Sequence, residues 1–248
     1  KGSLMLFLCF SVLDRIPLIN NFNQYIGNFG IETWYDRRNI FLGDDRNYVN
    51  ISQGASNPDV DYAVVFYSDN FKNGNICLEE FDILVERYKR GEIHLFPVFI
   101  GNVPQNIDEK FALCKTLVYK EINLENDFLR LSLHIVAKMT EDKLRYSHIK
   151  TLQDYIVAAE PETLIFDLLR DYENIDKKNT FMRIGVLFNI FKTITFHKPC
   201  EYFHKKTMNF LFYSNCYRNI NFEEKRELQI MENIIILECL RLFPVSKN

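Results

Sequence analysis

The chain has 248 residues, which is enough for one large domain or for two ordinary ones with separate cores. Its composition, 47% hydrophobic and 25% charged with only 9 Gly and 7 Pro, excludes a long disordered, collagen-like or linker-dominated architecture. The chain has 30 Lys and Arg and 33 Asp and Glu, so its net charge is -3. We therefore expect no general nucleic-acid-binding surface.

The first apolar run and the cysteines bear on localisation. Leu4–Leu13 follows Lys1 as a short secretory signal would, but no small-residue cleavage site follows, and Asp14 and Arg15 end the run. The run is too short to span a bilayer, so a buried first strand is the better interpretation and no membrane partner is expected. Six widely spaced cysteines without a C-x-x-C pair indicate reduced thiols and a cytoplasmic protein.

The first half of the chain alternates short apolar runs with helical stretches. The predicted strands are Leu4–Phe10, Ile31–Tyr35, Asp61–Tyr67, Glu92–Ile100 and Thr116–Tyr119. Helical spacing between them is clearest from Ile16 to Ile26 and from Ile76 to Arg90. Such runs indicate a parallel sheet covered by helices on both faces, in which ligands bind beyond the carboxyl ends of the strands.

The second half carries helical spacing only. Thr140, followed by Glu141 and Asp142, predicts a helix start. That helix keeps helical spacing from Leu144 to Ala159. The other predicted helical stretches are Pro161–Tyr172, Phe181–Phe196, Tyr202–Phe212 and Phe222–Leu242, the last opened by a capping box of Asn221 and Glu224. This half therefore predicts a compact bundle of helices.

Several motifs with a known chemistry are absent. The chain has no phosphate-binding P-loop, no G-x-G-x-x-G after a strand and no G-x-S-x-G elbow. His197, Cys200, His204 and Cys216 could be drawn as a metal site, but they lack a clean four-ligand pattern and lysines surround them. Ordinary helix and turn residues are the better interpretation, and no metal is predicted.

An ordered set of short motifs runs through the first half. Its members are Phe7–Arg15 (FLCFSVLDR), Trp34–Asp36, a loop ending Leu42–Asp44, Asp61–Ser68 (DYAVVFYS), Phe71, Ile76–Phe81 (ICLEEF) and Pro97–Val98. In its order, this set resembles the TIR (Toll/interleukin-1 receptor) domain, in its bacterial branch. The resemblance implies an α/β, flavodoxin-like TIR domain at residues 4–138, followed by an all-α helical domain at 139–248 for oligomerisation or sensing.

The motifs depart from the family at three positions. Cys9 stands where a Ser is usual, Leu42-Gly43 where Pro-Gly is usual, and Ile76 where a Trp is usual. The first two are packing or turn changes. The third removes an aromatic wall that often lies beside the family's active site.

Glu80 can be examined from helical spacing alone. The stripe of Cys77, Phe81 and Leu84 defines the buried face of its helix, and Glu79 falls on the opposite side. Glu80 lies at the flank, nearer the core than the acidic residues around it. From spacing alone it is either a solvated helix acid beside the core or a carboxylate that meets a ligand.

The resemblance implies an enzyme that cleaves NAD⁺, releases nicotinamide and forms ADP-ribose or a cyclic product, with a role in bacterial anti-phage defence. NAD⁺ is then the substrate and no cofactor is needed. Because nicotinamide already leaves from a cationic state, one carboxylate, Glu80, suffices to stabilise the oxocarbenium-like transition state. Family position implies NAD⁺ contacts from Phe10, Ser11, Asp36, Arg37, Gly43, Asp45, Ser68, Phe71 and Cys77.

Four arginines, at positions 15, 37, 38 and 46, either meet the pyrophosphate or pair with surface acids. The resemblance also implies self-association through the loop at 36–45, triggered by a partner or ligand of the helical half. One alternative is a non-catalytic TIR module that acts by homotypic assembly. The other is an enzyme like the nucleoside ribosyltransferases, which also use a carboxylate at an anomeric carbon.

Overall fold

The computed structural model describes residues 5–123, 126–159, 164–196, 198–217 and 224–245. The chain divides into two compact units, the first ending at Leu131 and the second beginning at Ser132. The division falls inside one long helix, whereas the sequence predicts the domain boundary after residue 138.

The first unit is an α/β structure. Its strands are β1 Met5–Cys9, β2 Glu32–Trp34, β3 Val60–Tyr67, β4 His94–Ile100 and β5 Lys120–Ile122. Its helices are α1 Asn20–Gly27, α2 Asp36–Asn39, α3 Arg46–Val49, α4 Asn75–Lys89, α5 Ala112–Thr116 and the start of α6 Asn126–Leu144. A π-helical turn, Asn50–Ala55, follows α3.

The five strands form one parallel sheet in the order β2-β1-β3-β4-β5, which confirms the predicted α/β class. The chain moves outward from β1 to β2 and then returns to the other side of β1 with β3. Cys9 at the end of β1 pairs with Val65 of β3. This reversal is where sheets of this kind bind ligands, beyond the carboxyl ends of the strands.

The sheet is buried on both faces. On one face, Phe7 packs in a cluster with Phe81 of α4. On the other, the ring of Phe66 lies 5.2 Å from Phe22 of α1, and Phe22 lies 6.5 Å from Phe128 of α6. Because β3 is covered on both sides, its sequence is continuously apolar rather than alternating.

The fifth predicted strand was wrong in position. Thr116 ends α5, and β5 begins only at Lys120. Val118 has β-branched character, but its side chain is 94% exposed, whereas Ile122 is buried. Local propensity therefore indicated a strand near the correct place without showing which residues pair.

In its described part, the second unit contains helices joined by turns and loops, and no strand. Beyond Ser132 it contains the rest of α6 and α7 Leu152–Ala158, α8 Leu164–Glu173, α9 Thr180–Thr195, α10 Tyr202–Tyr217 and α11 Glu224–Leu242. The helix start predicted at Thr140 was wrong, because Thr140 is buried inside α6 and its hydroxyl donates to the Ala137 carbonyl at 2.9 Å. Asn221 of the predicted capping box lies outside the described residues.

Among the described residues, none of the helices combines the length and the apolar character needed to cross a bilayer.

Candidate functional site

A cavity of about 370 Å³ opens in the first unit beside the carboxyl end of β1. Its wall comes from β1 and the loop after it, the end of β2, the segment from α3 to Asn50, and the first turns of α4. The lining residues are Phe7, Leu8, Phe10, Ser11, Val12, Arg15, Trp34, Asp36, Arg46, Asn47, Asn50, Gly74, Asn75, Ile76, Cys77 and Glu80.

Glu80 is the acid in this wall that is most removed from water. Its side chain lies in the second turn of α4, and the residue is only 6% exposed, whereas Glu79 and Asp82 are exposed. Burial raises the pKa of Glu80 to about 8; the charge of Asp36 adds to the rise, and a hydrogen bond from Cys9 and the charge of Arg46 oppose it. The interpretation that Glu80 lies nearer the core than the neighbouring acids is confirmed.

Two thiols support Glu80 on the core side. Cys9 is fully buried, donates from its thiol to the Cys77 carbonyl at 3.5 Å, and acts on Glu80 to lower the pKa of that carboxyl. Cys77 donates from its thiol to the carbonyls of Phe71 and Gly74, at 3.4 and 3.3 Å. Burial raises the pKa of Cys77 to about 11, so this thiol stays protonated at neutral pH and is a packing and hydrogen-bonding group rather than a nucleophile.

A cluster of charges forms another part of the wall. Asp36 accepts hydrogen bonds from Arg15 and, at 3.0 Å, from Arg46. The Arg15 guanidinium lies 5.5 Å from the ring centre of Phe10 and 5.7 Å from that of Tyr35. The two rings also stack on each other, with their centres 5.9 Å apart. The ion pair with Asp36 and the contacts with both rings together hold the Arg15 guanidinium in place.

Five of the residues predicted to act in the site line this one cavity: Glu80, Phe10, Ser11, Asp36 and Cys77. Ser11 is buried, and its hydroxyl oxygen accepts from the Leu13 amide at 3.4 Å, as expected of a residue that starts a turn. The first motif and α4 are far apart in sequence, but both contribute side chains to the wall of this cavity.

Two predicted contacts at the end of β3 do not line the cavity. Ser68 is buried and donates to Asp14, and its hydroxyl oxygen accepts from the Phe71 amide at 3.0 Å. Phe71 is fully buried in the core. Both residues fix the loop that carries Asp14 and belong to the scaffold around the site.

Of the contacts predicted from the loop at 36–45, Asp36 lines the cavity, but two others lie outside its wall. Gly43 lies in an exposed turn with φ of +98°, a backbone conformation that favours glycine. Asp45 caps α3 by accepting from the Tyr48 amide at 3.1 Å. Neither lines the cavity, and the side chain of Arg37 lies outside the described part of the structure.

Among the lining residues that sequence reasoning did not assign to the site are Trp34, Asn47 and Asn50. Trp34 supplies an aromatic surface to a cavity that Ile76 also lines. Asn50 is only 5% exposed, and nothing in its neighbours predicts this burial. Its position depends on the π-helical turn, which carries no recognisable sequence pattern.

Within the described ranges, His, Cys, Asp and Glu side chains form no group of three or more that could hold a metal ion. His197 of the cluster considered above lies outside those ranges. His204 contacts Glu238 instead, with Nδ1 at 2.6 Å from the carboxylate.

Scans of protein-family models, curated proteins and solved structures found no match to this chain. An acid with a high proton affinity, a stacked aromatic pair and two guanidinium groups are suited to a ligand that has both sugar and anionic parts.

Proposed function

We propose that this protein cleaves NAD⁺, releasing nicotinamide and forming ADP-ribose or a cyclic ADP-ribose-type product. The observation that carries the proposal is the buried Glu80 carboxyl in the wall of a cavity at the carboxyl end of β1. The strand order 2-1-3-4-5 is that of flavodoxin-like sheets and supports a TIR-like first domain. The proposal rests on this geometry together with the resemblance of the motifs to the TIR domain.

The reaction breaks the bond between the ribose C1′ and the nicotinamide nitrogen. Nicotinamide leaves as a neutral molecule, so no acid needs to protonate it, and positive charge develops on the ribose. The Glu80 carboxylate stabilises that charge, and water then attacks C1′ and gives up a proton to solvent. Because the pKa of Glu80 is about 8, we expect kcat/KM to rise with pH up to that value.

The test is a time course of the full chain with NAD⁺, following nicotinamide and ADP-ribose products by chromatography. Glu80→Gln keeps the volume of the side chain but cannot become negatively charged. We expect it to lower kcat by roughly 100-fold or more, because it removes the charge that stabilises the transition state.

Glu79→Gln is the matched control, since Glu79 is exposed on the same helix and does not line the cavity. It should retain the activity of the wild-type chain. Equal loss in both variants, or no nicotinamide release by the wild-type chain at any protein concentration, contradicts the proposal.

A second candidate function is a non-catalytic module that assembles with copies of itself. It is favoured by the turn at Phe41 and Leu42, whose side chains are 73% and 108% exposed. The turn is held by Asp44, whose carboxylate accepts from the Phe41 amide at 2.8 Å. An exposed apolar turn of defined shape suits a protein contact.

Two measurements on wild type, Leu42→Ser and Glu80→Gln separate the two functions: light scattering for assembly and chromatography for nicotinamide release. A scaffold loses assembly in Leu42→Ser and keeps it in Glu80→Gln, with no nicotinamide release by any of the three. Nicotinamide release that depends on Glu80 favours the enzyme.

A further inference from the structure

A cavity of about 250 Å³ lies in the second unit between α9 and α10. One face of α9, from Phe181 to Asn189, and the end of α10, from Phe212 to Cys216, line it. Among the described residues, no Asp, Glu, Lys or Arg lines this α9–α10 cavity. A surface without charge can face a copy of itself without repulsion between like charges.

A glycine leaves the floor of the α9–α10 cavity open. Gly185 lies inside α9, where glycine stabilises a helix less than alanine does. A Cβ placed on Gly185 would meet no neighbouring atom within 4 Å, so nothing in the described part of the chain requires a glycine here. The space over Gly185 is therefore free to receive a side chain from another molecule.

A large apolar side chain protrudes beside that space. Phe181 is 72% exposed in the first turn of α9, and Asn179 caps this turn by accepting from the Met182 amide at 3.2 Å. Phe181 and Gly185 are four residues apart, so they lie on the same face of α9, about one turn from each other. One helix face thus carries both a protruding ring and an open space.

The α10 side of the cavity has a fixed shape. The ring of Phe212 stacks on that of Phe188, with their centres 4.0 Å apart. The Asn215 amide donates to the Leu211 carbonyl at 2.9 Å and to the carboxylate of the buried Glu227 at 2.6 Å. Because these contacts form within one chain, little order has to be gained when a ring enters the cavity.

We propose that two copies of this chain pair through α9, with the Phe181 ring of each copy in the α9–α10 cavity of the other. Two α9 helices that run antiparallel, with a two-fold axis level with the midpoint between Phe181 and Gly185, place each ring over the other copy's glycine. The symmetry makes both contacts form together. Burial of two exposed phenylalanine rings favours the pair. This pairing depends neither on the proposed reaction nor on the loop at 36–45.

Sedimentation velocity of the full chain at increasing concentration tests the pairing, and wild type should be in equilibrium between monomer and dimer. Phe181→Ala should raise the Kd of the dimer by at least roughly 10-fold, because it removes the ring that enters the cavity. Gly185→Leu should raise it as much, because its side chain fills the cavity of its own chain. Gly185→Leu should melt no lower than wild type, since leucine favours a helix and its Cβ meets no neighbour.

Mixing the two variants separates a second copy from any other occupant. The Phe181→Ala chain keeps an open cavity, and the Gly185→Leu chain keeps its Phe181 ring. A mixed pair therefore forms one of the two contacts, and its filled cavity faces no ring. The mixture should dimerise with a Kd at least roughly 3-fold lower than either variant alone. A small ligand or an unrelated protein in the cavity would give no such recovery, and its absence overturns the proposal.

Tyr146→Ala is the matched control, because Tyr146 is a 92% exposed aromatic residue of the second unit that does not line the cavity. Leu42→Ser changes the exposed turn of the first unit, and a larger assembly through that turn would add to this pair, which closes at two copies. Both variants should keep the Kd of the dimer. The proposal is overturned if wild type is monomeric at every concentration, or if Phe181→Ala and Gly185→Leu dimerise as wild type does.

Discussion

Glu80 shows how a single buried group links stability to the proposed chemistry. Its carboxyl is removed from water by α4 and β1, and that burial raises its pKa from 4.5 to about 8. The native protein therefore holds this proton more tightly than the unfolded chain does. The charged form, which the proposed reaction needs, is the form that destabilises the fold.

The sign of the resulting pH dependence follows from the raised pKa. Below about pH 4.5 the carboxyl is protonated in both native and unfolded states, and its contribution to stability is fully present. As pH rises towards about 8, unfolding releases the proton, so the free energy of unfolding falls. Glu80→Gln removes this dependence, and it should be more stable than wild type at pH 8.5 by on the order of a few kcal/mol.

Urea unfolding of wild type and Glu80→Gln at pH 5, 6.5 and 8.5 measures this effect. The difference between the two proteins should grow with pH, whereas Glu79→Gln should follow wild type at all three values. A difference between wild type and Glu80→Gln that is constant with pH would contradict the burial of this carboxyl.

The π-helical turn Asn50–Ala55 follows α3 and packs against two aromatic rings that line the cavity. Gly54 of this turn is buried, and a Cβ placed on it would lie 2.6 Å from both the Phe7 ring and the Trp34 Nε1. Both rings are themselves buried and line the cavity. The absence of a side chain at Gly54 is what allows the turn to approach them.

Gly54→Ala should therefore destabilise the fold by about 1–3 kcal/mol, because the two rings or the turn must move. ADP-ribose binding should weaken as well, since the rings form part of the cavity wall. Thermal and urea unfolding, with titration of ADP-ribose, measure the two effects.

Gly27→Ala is the control within the same unit. A Cβ on Gly27, the last residue of α1, has no atom within 4 Å, so its stability should be unchanged or raised by up to about 1 kcal/mol. Equal behaviour of the two glycine variants would show that Gly54 does not pack as described.

At the scale of the whole molecule, α6 belongs to both units. Phe128 packs with Phe22 and Tyr25 of the first unit, whereas Asn233 of α11 hydrogen-bonds to Thr140 in the second. The cavity residues all come from the first unit, between Phe7 and Glu80. The first unit should therefore retain the cavity without the second.

A fragment ending at Leu131 should fold with a cooperative transition and bind ADP-ribose with the affinity of the full chain. A fragment extended to Leu144 should self-associate, because buried side chains such as Leu133, Ile135 and Met139 would lose their cover. Circular dichroism, light scattering and titration test both fragments. An unfolded fragment ending at Leu131 would contradict the division inside α6.

Features of the fold that depend on local periodicity could be predicted from the order of residues alone. Continuous apolar runs such as that of β3 predicted the parallel sheet, because only a strand covered on both faces is apolar at successive positions. Helical spacing in α4 placed Glu80 nearer the core than Glu79, because a regular helix fixes the angle between its side chains. The motif order further predicted that Phe10 and Glu80 share a site, and both line one cavity.

Which polar side chains share that cavity could not be predicted in this way, because it depends on tertiary contacts. Arg15, Asp36 and Arg46 come from three different segments, and their pairing depends on how the loops after β1 and β2 fold against each other. For the same reason Asp45 was predicted in the site although it caps α3 outside it. Spacing along a chain fixes a side chain's direction only within a regular element, whereas the charge balance of a cavity depends on contacts between segments far apart in sequence.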